Sequence, residues 1–323
     1  MVGILSKTTN PAFNLAAEEY LLKDIVDDVF YLYVNAPSIV VGKHQNTLAE
    51  IDYIFTQKNN IPVYRRLSGG GTVYHDLGNL NFCFITNEEK GNLVNFDKHS
   101  APIVKALEGL GLKVEVGKRH DLSIAGKKIT GTASHVFRNR AMHHGTLLFS
   151  ADLSVLNKCL NTDLQKFKGK AVKSVRSEVT NISEHLERPV TMDEFTSYLF
   201  SFLKSYFSDV QSLNLSEEKE SVAINTLVKE KYSTWKWNYG YSPHYELSGS
   251  VELNGETVTS LVRVEKGLIA NVSFKNERGK TFSSLTVLAA VLNGVQHNPT
   301  SVLNCLKETT TAITGEQLVR MLF

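Results

Sequence analysis

The most informative part of the chain is the stretch Tyr64-Arg65-Arg66-Leu67-Ser68-Gly69-Gly70-Gly71-Thr72-Val73-Tyr74-His75. Its three consecutive glycines separate two runs of alternating apolar residues, which predicts a loop that joins strands and not a flexible linker. Glycine lacks a Cβ atom, so such a loop can turn its amide groups towards a ligand and let that ligand approach the backbone closely. These properties suit the binding of a phosphate group.

The arginine closest to the glycines supports the same interpretation. Alternation along the entering strand places Arg66 on the side of Ser68 and places Arg65 on the other side. A guanidinium is a planar, permanently charged fork that binds phosphate or carboxylate oxygens in pairs. The alternative is a glycine-rich turn with solvated arginines, because a glycine cluster alone is weak evidence for a ligand. The glycine spacing fits neither the dinucleotide fingerprint nor the P-loop.

The composition is that of an ordinary globular protein, and 323 residues are enough for about two domains. The net charge of +2 indicates no broad basic surface, so we expect no nucleic-acid partner. Three widely spaced cysteines argue against a disulfide framework and a cysteine zinc site, and they favour a reducing compartment. The first residues resemble neither a signal peptide nor a membrane span, so we expect a cytoplasmic protein without a membrane partner.

A second stretch, residues 119–134, combines charged residues with a strand pattern. Gly126-Lys127 predicts a hairpin turn, and strict alternation after it places Lys128 on the opposite face from residues 129, 131 and 133. Gly131 has no side chain, so a ligand or another strand can come close there. A lysine next to a turn is usually a solvated charge. Its importance therefore depends on whether its face of the strand meets the glycine loop.

Two pairs of residues invite a metal or catalytic interpretation. Neighbouring residues on a strand point to opposite faces, so His143-His144 cannot easily share one ion, and we interpret both as structural. The pair His75-Asp76 would need a nucleophile within reach to form a triad, and no sequence signature supplies one. We predict no dedicated metal site.

The remaining patterns predict an α+β fold. Helices are expected to begin at Asn14, at Ser100 and at Thr191, where Glu194 completes a capping box. Residues 31–41 resemble a pair of strands, and a hairpin is expected to turn at residues 76–79.

The character of the sequence changes after about residue 243. Three strand-like segments with turns at Asn254-Gly255 and Lys266-Gly267 predict a meander, and helical patterns follow it. We therefore expect a catalytic domain over residues 1–243 and a small α+β accessory domain over residues 244–323.

Several separated motifs, in this order, resemble the lipoate-protein ligase A family. They are residues 65–79, Arg119-His120-Asp121-Leu122, residues 128–133, residues 143–148, and also residues 13–19, residues 42–46 and Ser174-Val175-Arg176-Ser177. The resemblance covers most of residues 1–240. It implies a biotin/lipoate-protein ligase-like catalytic domain with mixed β-sheets and flanking helices, followed by a small C-terminal domain.

The resemblance also implies a reaction. Lipoate or octanoate reacts with ATP, accompanied by Mg²⁺, to give an acyl-AMP, and the acyl group then passes to a lysine of a lipoyl domain. The implied acceptors are the lipoyl domains of 2-oxoacid dehydrogenase complexes and the glycine cleavage H protein.

The family's functional positions can be carried over residue by residue. Contacts with ATP and the adenylate are expected from Arg66, Gly71, Thr72, Val73, Tyr74 and Lys128. Contacts with lipoate are expected from Glu18, Ser68, Gly70, His75, Lys128 and Gly131. Lys128 and Asp121 are the candidate catalytic residues: Lys128 would neutralise developing charge, and Asp121 would orient or deprotonate the acceptor lysine.

Other hypotheses stay open. Thr72 stands in a Gly-Gly-Gly-Thr-Val-Tyr form that resembles the mitochondrial lipoyltransferase branch, which uses preformed lipoyl-AMP. A transferase that moves an octanoyl or lipoyl group without ATP can employ a cysteine, and Cys83 lies in the strand after the glycine loop. A hypothesis of another class is a non-enzymatic lipoate sensor, although no DNA-binding module fits before Asn14.

Overall fold

The computed structural model describes residues 1–88, 93–160, 166–175, 177–253, 255–281, 283–309, 311 and 313–323. These residues form two compact units, and each unit is assembled from separate segments of the chain. The first unit comprises Met1–Lys43, Ile61–Asn157 and Ser174–Thr234, and the second comprises His44–Asn60, Lys158–Lys173 and Trp235–Phe323. The single domain boundary expected at residue 243 stays a prediction.

The strands are numbered in chain order. They are β1 (Val2–Leu5), β2 (Val29–Val34), β3 (Ser38–Val41), β4 (Val63–Arg65), β5 (Val73–His75), β6 (Asn79–Asn87), β7 (Glu115–Val116), β8 (Leu122–Ile124), β9 (Lys127–Phe137), β10 (Arg140–Leu148), β11 (Phe167–Gly169), β12 (Gln211–Ser212), β13 (Tyr245–Leu253), β14 (Glu256–Glu265) and β15 (Leu268–Asn276).

The helices are numbered in the same way. They are α1 (Pro11–Lys23), α2 (Thr47–Glu50), α3 (Tyr53–Lys58), α4 (Phe96–Glu108), α5 (Leu153–Cys159), α6 (Met192–Phe207), α7 (Glu218–Leu227), α8 (Ser283–Leu292), α9 (Pro299–Lys307) and α10 (Gly315–Leu322). A 3-10 turn covers Ile182–His185, and π-helical turns cover Val228–Tyr232 and Lys236–Gly240. None of the described helices combines the length and the apolar character needed to cross a membrane.

The first unit contains two of the sheets found in the described residues. One is eight-stranded in the order β12-β1-β2-β6-β10-β9-β8-β7, and the other is three-stranded in the order β4-β3-β5. Strand β3 runs parallel to β4 and antiparallel to β5. The strand pair predicted over residues 31–41 and the hairpin predicted at residues 76–79 were therefore wrong, because in each case the two strands belong to different sheets.

The beginnings of two helices differ from the predictions. Helix α1 is capped by Asn10, whose side chain accepts hydrogen bonds from two backbone amides, and Pro11 fills the first helical position, where a missing N–H has no cost. Asn14 lies inside the helix. Helix α4 is capped by Asn95 and not by Ser100.

Two other local predictions are confirmed. Helix α6 begins with the capping box of Thr191 and Glu194. The meander of β13, β14 and β15 forms in the second unit, where β11 joins it to complete a four-stranded sheet. Asn254, in the first predicted turn of that meander, lies outside the described residues.

The two faces of the eight-stranded sheet differ in chemistry. One face packs in an apolar core with α4 and α6. That core includes Phe30, Leu32, Phe82, Phe84, Ile103, Leu107, Ile129, Leu147, Phe149, Phe195 and Leu199. The other face lies against α1 and carries buried polar side chains, which hydrogen-bond to residues of that helix. They include Tyr31, Tyr33 and His144. This polar layer is where the candidate site is built.

Candidate active site

The glycine loop, residues 68–72, connects β4 to β5 and is held by Arg66. Nη2 of Arg66 donates hydrogen bonds to the carbonyl oxygens of Gly69 and Gly71, both at 2.7 Å. Nε of Arg66 donates to Oγ of Ser68 at 3.0 Å. The prediction that Arg66 points to the side of Ser68 is confirmed. In this structure the guanidinium fixes the shape of the loop, and its predicted contact with a nucleotide stays a prediction.

The position of Arg66 is well protected from water. Its side chain is 7% exposed, and Nη1 donates to the carbonyl oxygen of Val40 at 3.1 Å. Burial lowers the pKa of Arg66 to about 10, and the nearby Glu18 carboxylate opposes this fall. The guanidinium therefore keeps its charge at neutral pH.

Holding the carbonyl groups also orients the amide groups of the loop. Because a trans peptide is planar, a carbonyl that faces Arg66 turns the N–H of the next residue away from it. After Gly71 that next amide belongs to Thr72, which donates to Oγ of Ser174 at 2.8 Å. After Gly69 it belongs to Gly70, whose φ of 87° lies in the left-handed region that glycine adopts without strain.

The amides of residues 69–71 have no hydrogen-bond acceptor within the described part of the chain. Successive unpaired backbone N–H groups form a concavity that suits an anion. Gly71 packs against Ser174, because a Cβ atom on Gly71 would lie 3.1 Å from Oγ of Ser174. The structure thus brings Ser174, from one of the motifs that carry the family resemblance, to the loop. Its neighbour Arg176 lies outside the described residues.

The loop continues directly into β5. Thr72 and Tyr74 are buried, and Val73 is partly buried. Their predicted contacts with the adenylate stay predictions.

Lys128 lies at the start of β9 beside a β-bulge. Ser123 of β8 pairs with Lys128, and the preceding residue of β8 pairs with Thr130, so Ile129 is an extra residue in β9. Ile129 and Thr130 are both buried, and Ile129 lies in the apolar core. Cε and Nζ of Lys128 instead lie beside Gly131, each 3.5 Å from the position that a Cβ atom there would occupy. The prediction of strict alternation was wrong here, because the bulge moves Lys128 to the face of Gly131.

That face of β9 also meets the glycine loop. Ala133, the next residue on the face of Gly131, lies 3.7 Å from the position of a Cβ atom on Gly70. The Lys128 side chain is partly buried, and its Nζ has no hydrogen-bond or ion-pair partner among the described residues. Lys128 and the glycine loop therefore border the same face of β9, and within the described ranges neither Nζ of Lys128 nor the amides of residues 69–71 have a hydrogen-bond partner.

Beneath the glycine loop, three buried side chains form a hydrogen-bonded chain. Oγ of Ser68 lies 2.6 Å from Nε2 of His144, and Nδ1 of His144 lies 2.9 Å from both carboxylate oxygens of Glu18. A carboxylate only accepts, so Nδ1 carries a proton. Tyr33 also donates to Glu18, at 3.0 Å. The structure brings Glu18 and Ser68 together as the resemblance implied. It also places His144 between them, and these hydrogen bonds agree with the structural interpretation of that histidine.

His143 and His144 do point to opposite faces of β10, as predicted. His143 stacks on His99 with ring centroids 3.9 Å apart. No group of three or more His, Cys, Asp or Glu side chains in the described ranges is arranged to hold a metal ion.

His75 occupies a separate part of the polar layer, with both ring nitrogens paired. Asn35 donates to Nδ1 at 3.0 Å, and Nε2 lies 2.9 Å from Oγ1 of Thr146, which in turn donates to Asn81 at 2.8 Å. Burial, together with the charge of Arg66, lowers the pKa of His75 to about 3, so the ring is neutral at pH 7. Its described contacts organise the layer, and its predicted contact with lipoate stays a prediction.

Asp121 lies in the loop before β8. One of its carboxylate oxygens lies 2.7 Å from the position of a Cβ atom on Gly117, and the backbone amide of Gly117 donates to the Asp121 carbonyl at 2.7 Å. The adjacent His120 stacks on Phe96 with ring centroids 4.7 Å apart. In the described part of the chain, Asp121 has no hydrogen bond to Lys128 or to the glycine loop. Its catalytic role stays a prediction.

Cys83 is fully buried in the same polar layer. Burial raises the pKa of its thiol well above the ordinary value, and the Glu18 charge raises it further. A nucleophilic cysteine needs a lowered pKa and access to its substrate. The environment of Cys83 provides neither, which argues against the hypothesis of a cysteine-dependent transferase.

Comparison with known proteins places this geometry in context. A family model described as the lipoyl protein ligase A/B catalytic domain matches residues 10–204. A lipoate-protein ligase of Bacillus subtilis is 41% identical over 266 residues, which are 80% of this chain and 80% of that protein. Lipoate–protein ligase 1 of Staphylococcus aureus is 40% identical over 276 residues, which are 84% of this chain and 79% of that protein.

Solved structures show the same similarity. A lipoate protein ligase from T. acidophilum with bound lipoic acid is 26% identical, with a TM-score of 0.64 over 74% of this chain and 98% of that one. A lipoate-protein ligase A bound with ATP is 25% identical, with a TM-score of 0.61 over 75% of this chain and 100% of that one. A structure of the bipartite ligase and its E2 lipoyl domain from Thermoplasma acidophilum is 27% identical, with a TM-score of 0.63 over 74% and 96%.

Proposed function

The chain belongs to the lipoate-protein ligase A family, and from that premise we propose that its glycine loop and Lys128 together hold an acyl adenylate. The activity of the chain is ATP-dependent ligation of lipoate to protein. Its fold is that of the biotin and lipoate ligases, with a C-terminal domain.

The first step joins two anions. An oxygen of the lipoate carboxylate bonds to the α-phosphorus of ATP, the bond from that phosphorus to the bridging oxygen breaks, and pyrophosphate leaves. The protein has to align the reactants and neutralise the charge that develops between them. We assign this charge neutralisation to Nζ of Lys128 and to the amides of residues 69–71.

One observation carries this assignment. Nζ of Lys128 has no acceptor in the described residues, yet it lies on the face of β9 where Ala133 meets Gly70. An ammonium group that is partly buried without a partner has lost hydration and gained no compensating bond. An anionic ligand between Lys128 and the glycine amides would satisfy both groups at once.

We propose Mg²⁺ as the companion of ATP. Mg²⁺ keeps several waters and binds substrate phosphates readily, so it needs few protein ligands. It would supply further positive charge at the phosphates when bound. The same proposal gives Arg66, Thr72, Val73 and Tyr74 a role in shaping the nucleotide side.

The second step transfers the acyl group to a lysine. Lipoyl domains are the targets, in keeping with the related ligase that was solved with an E2 lipoyl domain. We extend the proposal to the lipoyl domains of 2-oxoacid dehydrogenase complexes and to the glycine cleavage H protein. Asp121 would orient the acceptor amine or take its proton. We further propose a cytoplasmic location, which is supported by the free state of all three cysteines.

The decisive experiment incubates the purified protein with lipoate, ATP, Mg²⁺ and an unmodified lipoyl domain, and then weighs the acceptor by mass spectrometry. With free lipoate, we expect a lipoylated acceptor only when ATP is present. Parallel reactions replace lipoate and ATP with preformed lipoyl-AMP. Product in the lipoyl-AMP reactions but not in the reactions with lipoate and ATP would identify a lipoyltransferase, and absence of product in every reaction would favour a sensor.

A further inference from the structure

The hydrogen-bonded chain beneath the glycine loop has a property that the proposed reaction does not use. It is continuous from a helix to the loop: Glu18 of α1 contacts His144, His144 contacts Ser68, and Ser68 accepts a hydrogen bond from Arg66. Arg66 in turn donates to the carbonyl groups of Gly69 and Gly71.

Every member of this chain is buried. Ser68 is 0%, Glu18 is 1%, His144 is 6% and Arg66 is 7% exposed. Water cannot readily replace a partner at such positions, so the loss of one link leaves a buried polar group unsatisfied. A buried network of this kind therefore holds its members in one arrangement.

We propose that His144 is a positioning residue for the nucleotide, acting through Ser68 and Arg66 on the amides of the glycine loop. This inference rests on the proposed function, because it assumes that those amides bind the phosphates of ATP. Among the described residues, the His144 side chain has no hydrogen bond to the loop glycines. Its influence passes through Ser68, whose hydroxyl group accepts a hydrogen bond from Nε of Arg66 and donates one to Nε2 of His144.

Two short hydrogen bonds fix the hydroxyl group of Ser68. Ser68 Oγ is 2.6 Å from His144 and 3.0 Å from Arg66. If His144 no longer holds the hydroxyl, Ser68 is free to rotate, and Nε of Arg66 loses a fixed acceptor. The guanidinium then holds the two glycine carbonyls less firmly, and the planar peptides pass that freedom to the amides.

Two substitutions test the hydrogen bonds of the two imidazole nitrogens separately. In His144→Asn the short amide can reach the Nδ1 partner, Glu18, but it cannot reach Ser68. In His144→Gln the longer amide can reach the Nε2 partner, Ser68, and restore that link. His143→Asn makes the same chemical change on the opposite face of β10 and serves as the matched control.

The measurement is the dissociation constant of a non-hydrolysable ATP analogue with Mg²⁺, determined by calorimetry without lipoate. We expect His144→Asn to weaken binding about tenfold, as the loss of one buried hydrogen bond would. His144→Gln should recover most of that loss, and His143→Asn should bind like the wild type. The double variant Ser68→Ala with His144→Asn should bind no more weakly than Ser68→Ala alone, because both substitutions break the same link.

The outcomes distinguish this inference from the proposed function. Equal affinity in the wild type and in His144→Asn would overturn the positioning role, and so would equal weakening in the Asn and Gln variants. Additive losses in the double variant would also overturn it, because His144 would then act by another route. Failure of the wild type to bind the analogue would overturn the proposed function and this inference with it. If His144→Asn does not fold, the dissociation constants of His144→Gln and Ser68→Ala are compared instead. Weaker binding by Ser68→Ala than by His144→Gln would support the positioning role, and equal binding would overturn it.

Discussion

Replacing Lys128 with alanine tests the centre of the proposed site. Nζ of Lys128 is partly buried beside Gly131 and has no partner in the described residues. Its removal therefore breaks no hydrogen bond of the folded protein. We expect the free energy of unfolding to change by less than about 0.5 kcal/mol, as for substitutions at positions without structural contacts.

The expected effect on the reaction is much larger. A fixed charged or hydrogen-bonding group aimed at developing negative charge contributes about 2.7 to 4 kcal/mol to transition-state stabilisation. Because Arg66 and the glycine amides remain in Lys128→Ala, we place the loss at about 3 kcal/mol. This corresponds to a roughly 100-fold lower rate of adenylate formation.

The assay is lipoate-dependent release of pyrophosphate, followed in single turnovers so that acyl transfer does not enter the measured rate. The matched control is Lys127→Ala, which removes the same charge from the adjacent, exposed position of β9. We expect the control to keep at least half of the wild-type rate. Urea unfolding of both variants would verify that neither has lost stability.

A rate in Lys128→Ala within threefold of the wild type would refute the reasoning. An equal loss in both lysine variants would refute it too, because the general charge of the surface and not the position of one ammonium group would then matter.

Three further outcomes are expected. Arg66→Lys should lower the free energy of unfolding by about 2 kcal/mol, because an ammonium cannot hold Ser68 and the carbonyls of Gly69 and Gly71 together; an unchanged urea midpoint would contradict this. Cys83→Ser should keep the ligase rate, since the buried thiol is not a nucleophile; loss of transfer by a stably folded variant would reopen the transferase hypothesis. Burial, reinforced by the nearby His99, lowers the pKa of His143 to about 3, so between about pH 6.5 and pH 3 the unfolded chain binds a proton that the folded protein does not. The His143 imidazole should therefore lower the free energy of unfolding by about 1.4 kcal/mol for each unit that the pH falls in that range. In urea titrations between pH 7 and pH 5, the free energy of unfolding of His143→Phe should fall less steeply with pH than that of the wild type. Identical slopes would contradict the assignment.

Local patterns predicted the parts of the site that depend on neighbouring residues. The loop character of residues 68–72 follows from three glycines between strands, and the orientation of Arg66 follows from alternation along β4. The opposite directions of His143 and His144 follow from the same period. These features need no knowledge of the rest of the fold.

Features that depend on pairing between distant strands were not predictable in the same way. The bulge at Ile129 lies where the register between β8 and β9 shifts by one residue, and the alternation of residues along β9 does not indicate it. The assignment of β2 and β3 to different sheets is likewise a property of the whole fold. Asn14 has the side chain of a helix cap, but burial against Tyr31 and Asn35 decides its place inside α1.

The polar layer that contains His144 has a signal in the sequence. Polar residues alternate with apolar ones along the central strands, at Tyr31 and Tyr33 of β2 and at His144 and Thr146 of β10. On α1, Asn14 and Glu18 are four residues apart and share a helical face. Together these patterns indicate a polar layer between helix and sheet, and not isolated structural residues.

The bulge in β9 makes the direction of Lys128 depend on one extra residue. Lys128 and Gly131 are three positions apart, which in a regular strand would place them on opposite faces, and Ile129 is the extra residue that puts them on the same face. Loss of the single codon for Ile129 would leave them two positions apart in a regular strand, so the amine would keep its face while the core lost one buried side chain. A deletion at this position is therefore expected to lower stability and to leave the cation of the proposed adenylate site in place.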